Sequence, residues 1–383
     1  MTDEPTTPAR LRIGIVCPYS LTVPGGVQAQ VLGLARELRR RGHEARVLGP
    51  CDGPPPESFV TPLGDSLPTA ANGSIAPLAP DPSATLRTFR ALRDEEFDVV
   101  HLHEPLAPGP TFAALLIHAA PTVGTFHAAG TSSSYRIFHR QLARIANRLD
   151  RRVVVSKDAE ALVGGYLGGE YDVLFNGVEI EAIRATTPWT RRPGGPPVVF
   201  FCGRHEERKG LRVLVDAVAH YPGPIEVWVG GEGPDTEDLK RQTAGDSRIQ
   251  WLGRPSDSEK FARLRAADVF CAPSLGGESF GVVLIESMAA GTTVVASALD
   301  GYRNVATDDV DALLVEPGDP AALSAALERA LTDEALATRL RTAGSARAED
   351  FAMGRLADHY LDIYRGLIAR AAAQQPHRAR AAT

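Results

Sequence analysis

Apolar positions along the chain follow two rhythms. Short, mainly apolar runs at 13–16, 45–48, 98–103, 121–127 and 152–156 have the length and bounding turn residues of buried strands. Between them the spacing changes to threes and fours. Val27, Val31, Leu34 and Leu38 fall on one helical face and predict a helix over 26–41. Further helices are expected at 83–93 and at 135–149, the latter with Phe138, Leu142, Ile145 and Leu149 on one side. Residues 50–82, rich in Pro and Gly and without a period, predict loops with short strands, and 173–177 closes this half. The stretch 185–197 carries four prolines and two glycines and predicts a linker. The alternation then restarts, with strands at 198–202, 225–229, 249–252, 269–272 and 293–296 separated by helices, the first at 210–219. A last helix is expected over 351–370, with the possibility of crossing back to the first half. Residues 1–10 and 371–383 are expected to be a disordered start and a mobile tail.

Repeated strand–helix alternation predicts an α/β chain whose parallel sheets are covered by helices on both faces. Two Rossmann-like, doubly wound domains are expected, one over 11–184 and one over 198–350. Ligands of such sheets bind beyond the carboxyl ends of the strands, so the loops after strands and a cleft between the halves are the expected site.

Composition narrows the function. The 383 residues suit two domains of about 100–200 residues each. A net charge of −6 argues against nucleic acid as partner, because phosphate-backbone binding needs a cationic surface. No run of 18 apolar residues offers a membrane span, and the polar start lacks the pattern of a secretory signal, so a cytoplasmic protein is expected. Cys17, Cys51, Cys202 and Cys271 are widely spaced and read as buried, reduced thiols.

Several constellations could carry chemistry. Pro24-Gly25-Gly26-Val27 lies between the first strand and first helix, where bare backbone amides and the helix dipole favour an anion; a plain tight turn is the alternative. Arg204 and Lys209 sit in the loop after the first strand of the second half. Two fixed cations there suit a diphosphate leaving group, whose negative charge grows as its bond breaks. Gly276-Gly277-Glu278-Ser279-Phe280-Gly281 runs into a helix bearing Glu286. Eight helical residues span about 12 Å, more than the roughly 5–9.5 Å between paired glycosidase carboxylates. Glu278 and Glu286 are therefore expected to hold different parts of one ligand. His101-Leu102-His103-Glu104 shares a strand face but has no evident third and fourth metal ligand. His127, ending a strand, is placed to accept a proton or bind a hydroxyl, or else is a satisfied core histidine. Asp309-Val310-Asp311 reads as an exposed turn, and Gly230-Gly231-Glu232-Gly233 lacks the third glycine of a dinucleotide fingerprint.

Together these residues resemble the family 4 retaining glycosyltransferases of the GT-B fold, over roughly residues 11–370. The spacing from Glu278 to Glu286 and the Arg204/Lys209 pair are the specific marks. The motifs around Tyr19, Pro24–Val27, His127, Cys271–Pro273 and Leu275–Gly281 are similar to those of actinobacterial phosphatidylinositol mannosyltransferases. The resemblance implies transfer of mannose from GDP-mannose to the inositol ring of a membrane lipid. It implies a donor site of Gly26, Arg204, Lys209, Asp257, Lys260, Glu278, Ser279, Phe280, Gly281 and Glu286. Within it, Gly26, Arg204 and Lys209 would meet the diphosphate, Glu278 the mannose and Glu286 the ribose, with Asp257 and Lys260 near the base. Tyr19, Gln28 and His127 would face the acceptor. His127, Arg204, Lys209 and Glu278 would be the catalytic set. No tightly bound cofactor and no metal is implied.

Relatives carry a lysine-rich amphipathic segment where this chain has Arg87, Arg90 and Arg93, flanked by Leu86, Phe89 and Leu92. These arginines remain candidates for contact with anionic lipid at the inner membrane face, as does a second stripe of Arg136, Arg140, Arg144 and Arg148. Two alternatives stand beside this expectation. One is the same chemistry on another lipid or a soluble acceptor. The other is a nucleotide-sugar-binding protein without transfer.

Overall fold

The computed structural model describes residues 10–71, 74–128 and 133–381. Of the segments expected to lack structure, 1–9 and 382–383 lie outside the described residues, as do 129–132 after His127. The chain forms two units, one from residues 1–177 with 353–383 and one from 178–352.

The first unit opens with β1 (Arg12–Val16), α1 (Gly26–Arg40), β2 (Glu44–Gly49) and β3 (Val60–Pro62). A hairpin of β4 (Leu67–Ala71) and β5 (Ser74–Leu78) follows, then α2 (Pro82–Asp94), β6 (Val99–His103), α3 (Pro110–Ile117) and β7 (Thr122–Phe126). α4 (Ser133–Ala146), β8 (Arg151–Val154), α5 (Lys157–Leu167) and β9 (Asp172–Val173) complete its first pass. Seven strands make one parallel sheet in the order β3-β2-β1-β6-β7-β8-β9. The order reverses between β1 and β6, and there the loops after neighbouring strands part to leave room for a ligand. α1 buries Val31, Leu34 and Leu38 against Ile13 and Ile15 on one face; Leu102, Leu115 and Leu162 pack on the other.

The second unit contains α6 (Ile180–Ala185), β10 (Val198–Cys202), a 3-10 turn (Glu207–Lys209), α7 (Leu211–His220), β11 (Glu226–Gly230) and α8 (Thr236–Gln242). It continues through β12 (Ile249–Gly253), α9 (Asp257–Ala266), β13 (Val269–Ala272), α10 (Val282–Ala289) and β14 (Thr293–Ser297). α11 (Asp300–Arg303), β15 (Leu313–Val315), α12 (Pro320–Thr332) and α13 (Glu334–Glu349) end it. Its six-stranded parallel sheet has the order β12-β11-β10-β13-β14-β15, reversing between β10 and β13.

Two expectations about organisation change. The proline-rich run 185–197 is not where the chain leaves the first unit; that point is Gly177. The run instead straps the second unit. Trp189 N donates to Ala262 O at 2.8 Å, the Arg263 guanidinium stacks 4.0 Å from the Trp189 ring, and Arg191 pairs with Asp268 at 2.9 Å. The chain returns to the first unit at Met353, where α14 (Met353–Ala381) runs on past residue 370. Leu356, Tyr360 and Tyr364 of α14 join the core beside α1 and β1. Phe138, expected on the buried side of α4, departs from helical geometry and is 52% exposed.

Candidate active site

Two loops of the second unit are locked together at the carboxyl end of its sheet. After β10 the 3-10 turn ends at Gly210, whose φ of +66° suits glycine. A Cβ there would lie 1.8 Å from the Pro273 carbonyl oxygen, so no other residue fits this approach. Leu275 N donates to Arg208 O at 2.7 Å across the same seam. Lys209 Nζ then donates to Glu278 Oε1 at 2.6 Å, and Ser274 Oγ donates to the same oxygen at 3.1 Å while sharing a 2.9 Å hydrogen bond with Tyr302 OH. Arg208 lies 3.4 Å from that oxygen and 2.6 Å from Glu206. Charges of opposite sign thus alternate along the loop.

Arg204 is not part of that cluster around Glu278. Its side chain is 55% exposed and its ion-pair partner is Glu206 at 3.7 Å. The turn over 207–209 swings Arg208 and Lys209 towards Glu278, and Arg204 precedes it. Arg208, a neighbour in the same charged run, is the arginine that lies beside Glu278.

Glu286 has a separate cation. It lies on α10, whereas Glu278 is in the loop before, and Lys260 Nζ donates to Glu286 Oε1 at 2.9 Å. Asp257 Oδ1 stands 3.5 Å from the same ammonium. Burial works against a charged Lys260, but Glu286 outweighs it and holds the lysine above its usual range. Burial pushes the nearby Cys202 thiol up to about 11, leaving it protonated. Gly281 caps α10 at φ +86°, where a Cβ would meet the Tyr302 ring at 2.9 Å. Phe280 is 5% exposed and packs edge-on against Phe351, a core position, because an apolar ring before a tight cap is drawn inward. The Ser279 carbonyl accepts from Asn304 Nδ2 at 3.3 Å.

In the first unit, Gly26 opens α1 with no side-chain cap on the helix start, and a Cβ there would meet open space. Those first amides are free for an anion. Tyr19 is half-buried and bridges to Leu78; burial and the Glu104 carboxyl raise its phenol well above the usual range. Gln28, expected to face an acceptor, is buried and turns its amide back to donate to Ser20 O at 3.3 Å. Asp52 steadies this loop by accepting from Ser20 Oγ at 2.6 Å and from Ser66 Oγ at 2.8 Å.

Three histidines meet at the ends of β6 and β7. His101 shares 2.7 Å hydrogen bonds with Tyr364 OH and Thr125 Oγ1, and Thr125 Oγ1 lies 2.9 Å from Tyr360 OH. His103 Nδ1 and His127 Nε2 share one of 2.8 Å. Burial depresses His101 to about 3 and His127 to about 4, and drives His103 well below its usual range. All three are neutral at pH 7. Glu104 Oε1 accepts from both His127 N and Ala128 N at 2.7 Å. Gln30, unremarked in the sequence, grips the Gly177 backbone from both sides, donating at 2.8 Å and accepting at 2.7 Å. Only a folded chain places Gln30 beside residue 177; its spacing carries no signal. Among the described residues no group of three or more His, Cys, Asp and Glu is arranged to hold a metal ion.

On α2, Leu86 is 61% and Phe89 46% exposed, and the Arg93 guanidinium lies 6.0 Å from the Phe89 ring. Arg90 is exposed beside them. Arg87, also exposed, donates to Leu63 O at 2.8 Å, and Leu92 is buried. Among the described residues no helix is long and apolar enough to cross a membrane.

Two parallel-sheet units bearing loops of this kind define a glycosyltransferase of the GT-B fold. Residues 24–182 match the model of Glycosyltransferase Family 4, and 196–333 that of Glycosyl transferases group 1; the chain belongs to this glycosyltransferase family. It is 40% identical to the phosphatidyl-myo-inositol mannosyltransferase of Mycobacterium leprae, over 92% of this chain and 96% of that one. To the protein of that name from Propionibacterium freudenreichii it is 36% identical, over 84% and 87%. Among solved structures, sucrose-phosphate synthase from Thermosynechococcus elongatus is similar with a TM-score of 0.73 at 22% identity, covering 94% of this chain and all of that one. HepE of Anabaena, in complex with UDP, has a TM-score of 0.71 at 18% identity, covering 93% and 100%.

Proposed function

We propose that this chain transfers mannose from GDP-mannose to the inositol ring of phosphatidylinositol, with retention at the sugar carbon. The names of the relatives above support mannose as the sugar and phosphatidylinositol as the acceptor, and the Lys209–Glu278 contact supports the chemistry. Glu278 holds the Lys209 ammonium at the mouth of the loop. When donor binds, Glu278 takes sugar hydroxyls, and Lys209 with Arg204 faces the diphosphate as its charge develops. The first amides of α10 after Gly281 add partial positive charge. Glu286 and Lys260 meet the ribose and the base beside Asp257. No side chain is assigned as a covalent nucleophile; the acceptor hydroxyl enters on the face the diphosphate leaves. His127 and Tyr19 face the inositol, and His127, neutral at pH 7, binds a hydroxyl or takes its proton.

The enzyme works at the inner face of the membrane, held there by Leu86, Phe89, Arg90 and Arg93 of α2. Incubation with radiolabelled GDP-mannose and phosphatidylinositol vesicles should place label in the lipid extract. Lys209→Ala should lower turnover by about 100-fold or more. Label confined to water-soluble products, or undiminished turnover by Lys209→Ala, would overturn this assignment.

A further inference from the structure

The last residue of β6 and the one after it both reach His127, one to its ring and one to its backbone. His103 is on the side-chain face it shares with His101, and their ring centres are 4.4 Å apart. It stacks on His127 at 5.1 Å and shares the 2.8 Å hydrogen bond between its Nδ1 and His127 Nε2. Glu104 has a φ of +50°, unusual for a residue with a Cβ, and this turn directs its carboxyl to the amides of His127 and Ala128. Strained backbone of this kind persists where neighbours hold it, often beside a functional group.

One proton lies between His103 Nδ1 and His127 Nε2. If His127 donated it, His103 would carry its own proton on Nε2. That atom is buried and has no hydrogen-bond partner among the described residues. A buried N–H without a protein partner is costlier to keep than a bare ring nitrogen. The arrangement therefore favours a proton on His103 Nδ1. Gln30, Asn176 and Tyr360 line the same narrow cavity as the two rings, and Asn176 hydrogen-bonds His127 so as to favour protonation of its ring.

We propose that His103 is a positioning residue for His127: its Nδ1–H donates to His127 Nε2 and leaves His127 carrying its proton on Nδ1, while Glu104 fixes the backbone beneath. This selects the less common imidazole tautomer and the angle of the ring. Around the pair stand His101 from β6 and Glu104 just after it, Tyr360 and Tyr364 from α14, Gln30 from α1 and Asn176; the only carboxyl among them is that of Glu104. The inference deepens the proposed function, because it rests on His127 acting at the acceptor.

The test uses the full chain with 15N-labelled histidine. Ring-nitrogen shifts at pH 7.5 should show wild-type His127 protonated on Nδ1. His103→Leu should move the proton to Nε2, whereas His103→Asn, whose side-chain amide can donate from the same place, should restore it to Nδ1. With GDP-mannose and phosphatidylinositol vesicles, His103→Leu should lower kcat at least tenfold with the donor KM within twofold. It should also raise the pH of the acid limb, because His127 loses a donor that favours its neutral ring. His103→Asn should recover most of the rate. A wild-type His127 protonated on Nε2, or a tautomer indifferent to His103→Leu, would overturn the proposal; the wild-type measurement decides even if the leucine variant misfolds. Failure of the functional reading is a separate result: turnover undiminished by His127→Ala, whatever the tautomer.

Discussion

Lys209 Nζ and Glu278 Oε1 lie 2.6 Å apart across 69 residues of sequence, each on a loop that leaves the carboxyl end of a parallel strand. The contact exists because Gly210 lets the loop after β10 press against the Pro273 carbonyl.

Gly210→Ala should therefore separate the charged groups without touching either. The added methyl meets a carbonyl oxygen, and φ of +66° is strained for alanine. We expect turnover to fall by at least tenfold together with a Tm lowered by several degrees. Glu278→Gln, which keeps the shape and an oxygen that accepts from Lys209 and Ser274, should lose turnover while its Tm falls less than that of Gly210→Ala. Parallel calorimetry and turnover assays separate the two effects, and a fully active Gly210→Ala would contradict the role given to the close approach.

Lys260 and Glu286 form a mostly buried pair. Removing one partner leaves the other charge without compensation, so Lys260→Met should cost about 3 kcal/mol of stability. The double variant Lys260→Met with Glu286→Leu should regain most of that loss, because two apolar groups need no partner. Thermal unfolding of the three variants checks this. Equal losses in the single and double variants would show that packing, not charge, sets the cost.

Histidine burial predicts acid sensitivity. His101 is held down to about 3, His127 to about 4, and His103 well below its usual range, chiefly by burial. Unfolded, each titrates near about 6.5. The unfolded chain then takes up protons that the folded chain refuses. The stability contribution is complete above pH about 6.5 and falls as pH drops towards the folded values, by up to about 1.4 kcal/mol per pH unit for each histidine. Urea unfolding followed between pH 7 and 5 should show this slope, and it should be shallower in His103→Asn.

Leu86 and Phe89 expose apolar surface beside Arg90 and Arg93. Replacing both apolar residues by serine should weaken co-sedimentation with anionic phosphatidylinositol vesicles at least fivefold at low salt and leave Tm within about 1 °C, since neither side chain is buried. Raising salt should weaken the wild-type interaction in the same assay. Unchanged sedimentation of the double variant would remove α2 from the membrane contact.

Much of the architecture was legible along the chain. The Val27, Val31, Leu34 and Leu38 spacing gave α1 nearly to the residue, because a face that must be buried leaves a period of 3.6. The apolar runs gave strands buried on both faces. Proline and glycine misled at 185–197: they mark irregular backbone, which straps a surface as readily as it links two bodies. Charge spacing did not reveal that Arg204 pairs with Glu206 or that Arg87 donates to Leu63 O, since long side chains choose partners from the folded surroundings.

The sequence by itself determined the alternation of strand and helix, the glycines at the tight approaches, and the presence of Lys209, Glu278, Lys260 and Glu286 in loops or helices that follow strands. Local periodicity and backbone freedom are properties of neighbours in the chain, so they can be read there. Tertiary structure alone decided that Lys209 pairs with Glu278 and Lys260 with Glu286, that Arg208 rather than Arg204 lies beside Glu278, that α14 returns to pack beside β1, and that His103 meets His127. Those outcomes depend on which distant segments share a core and on where burial removes water from a polar group. No short stretch of sequence contains that information.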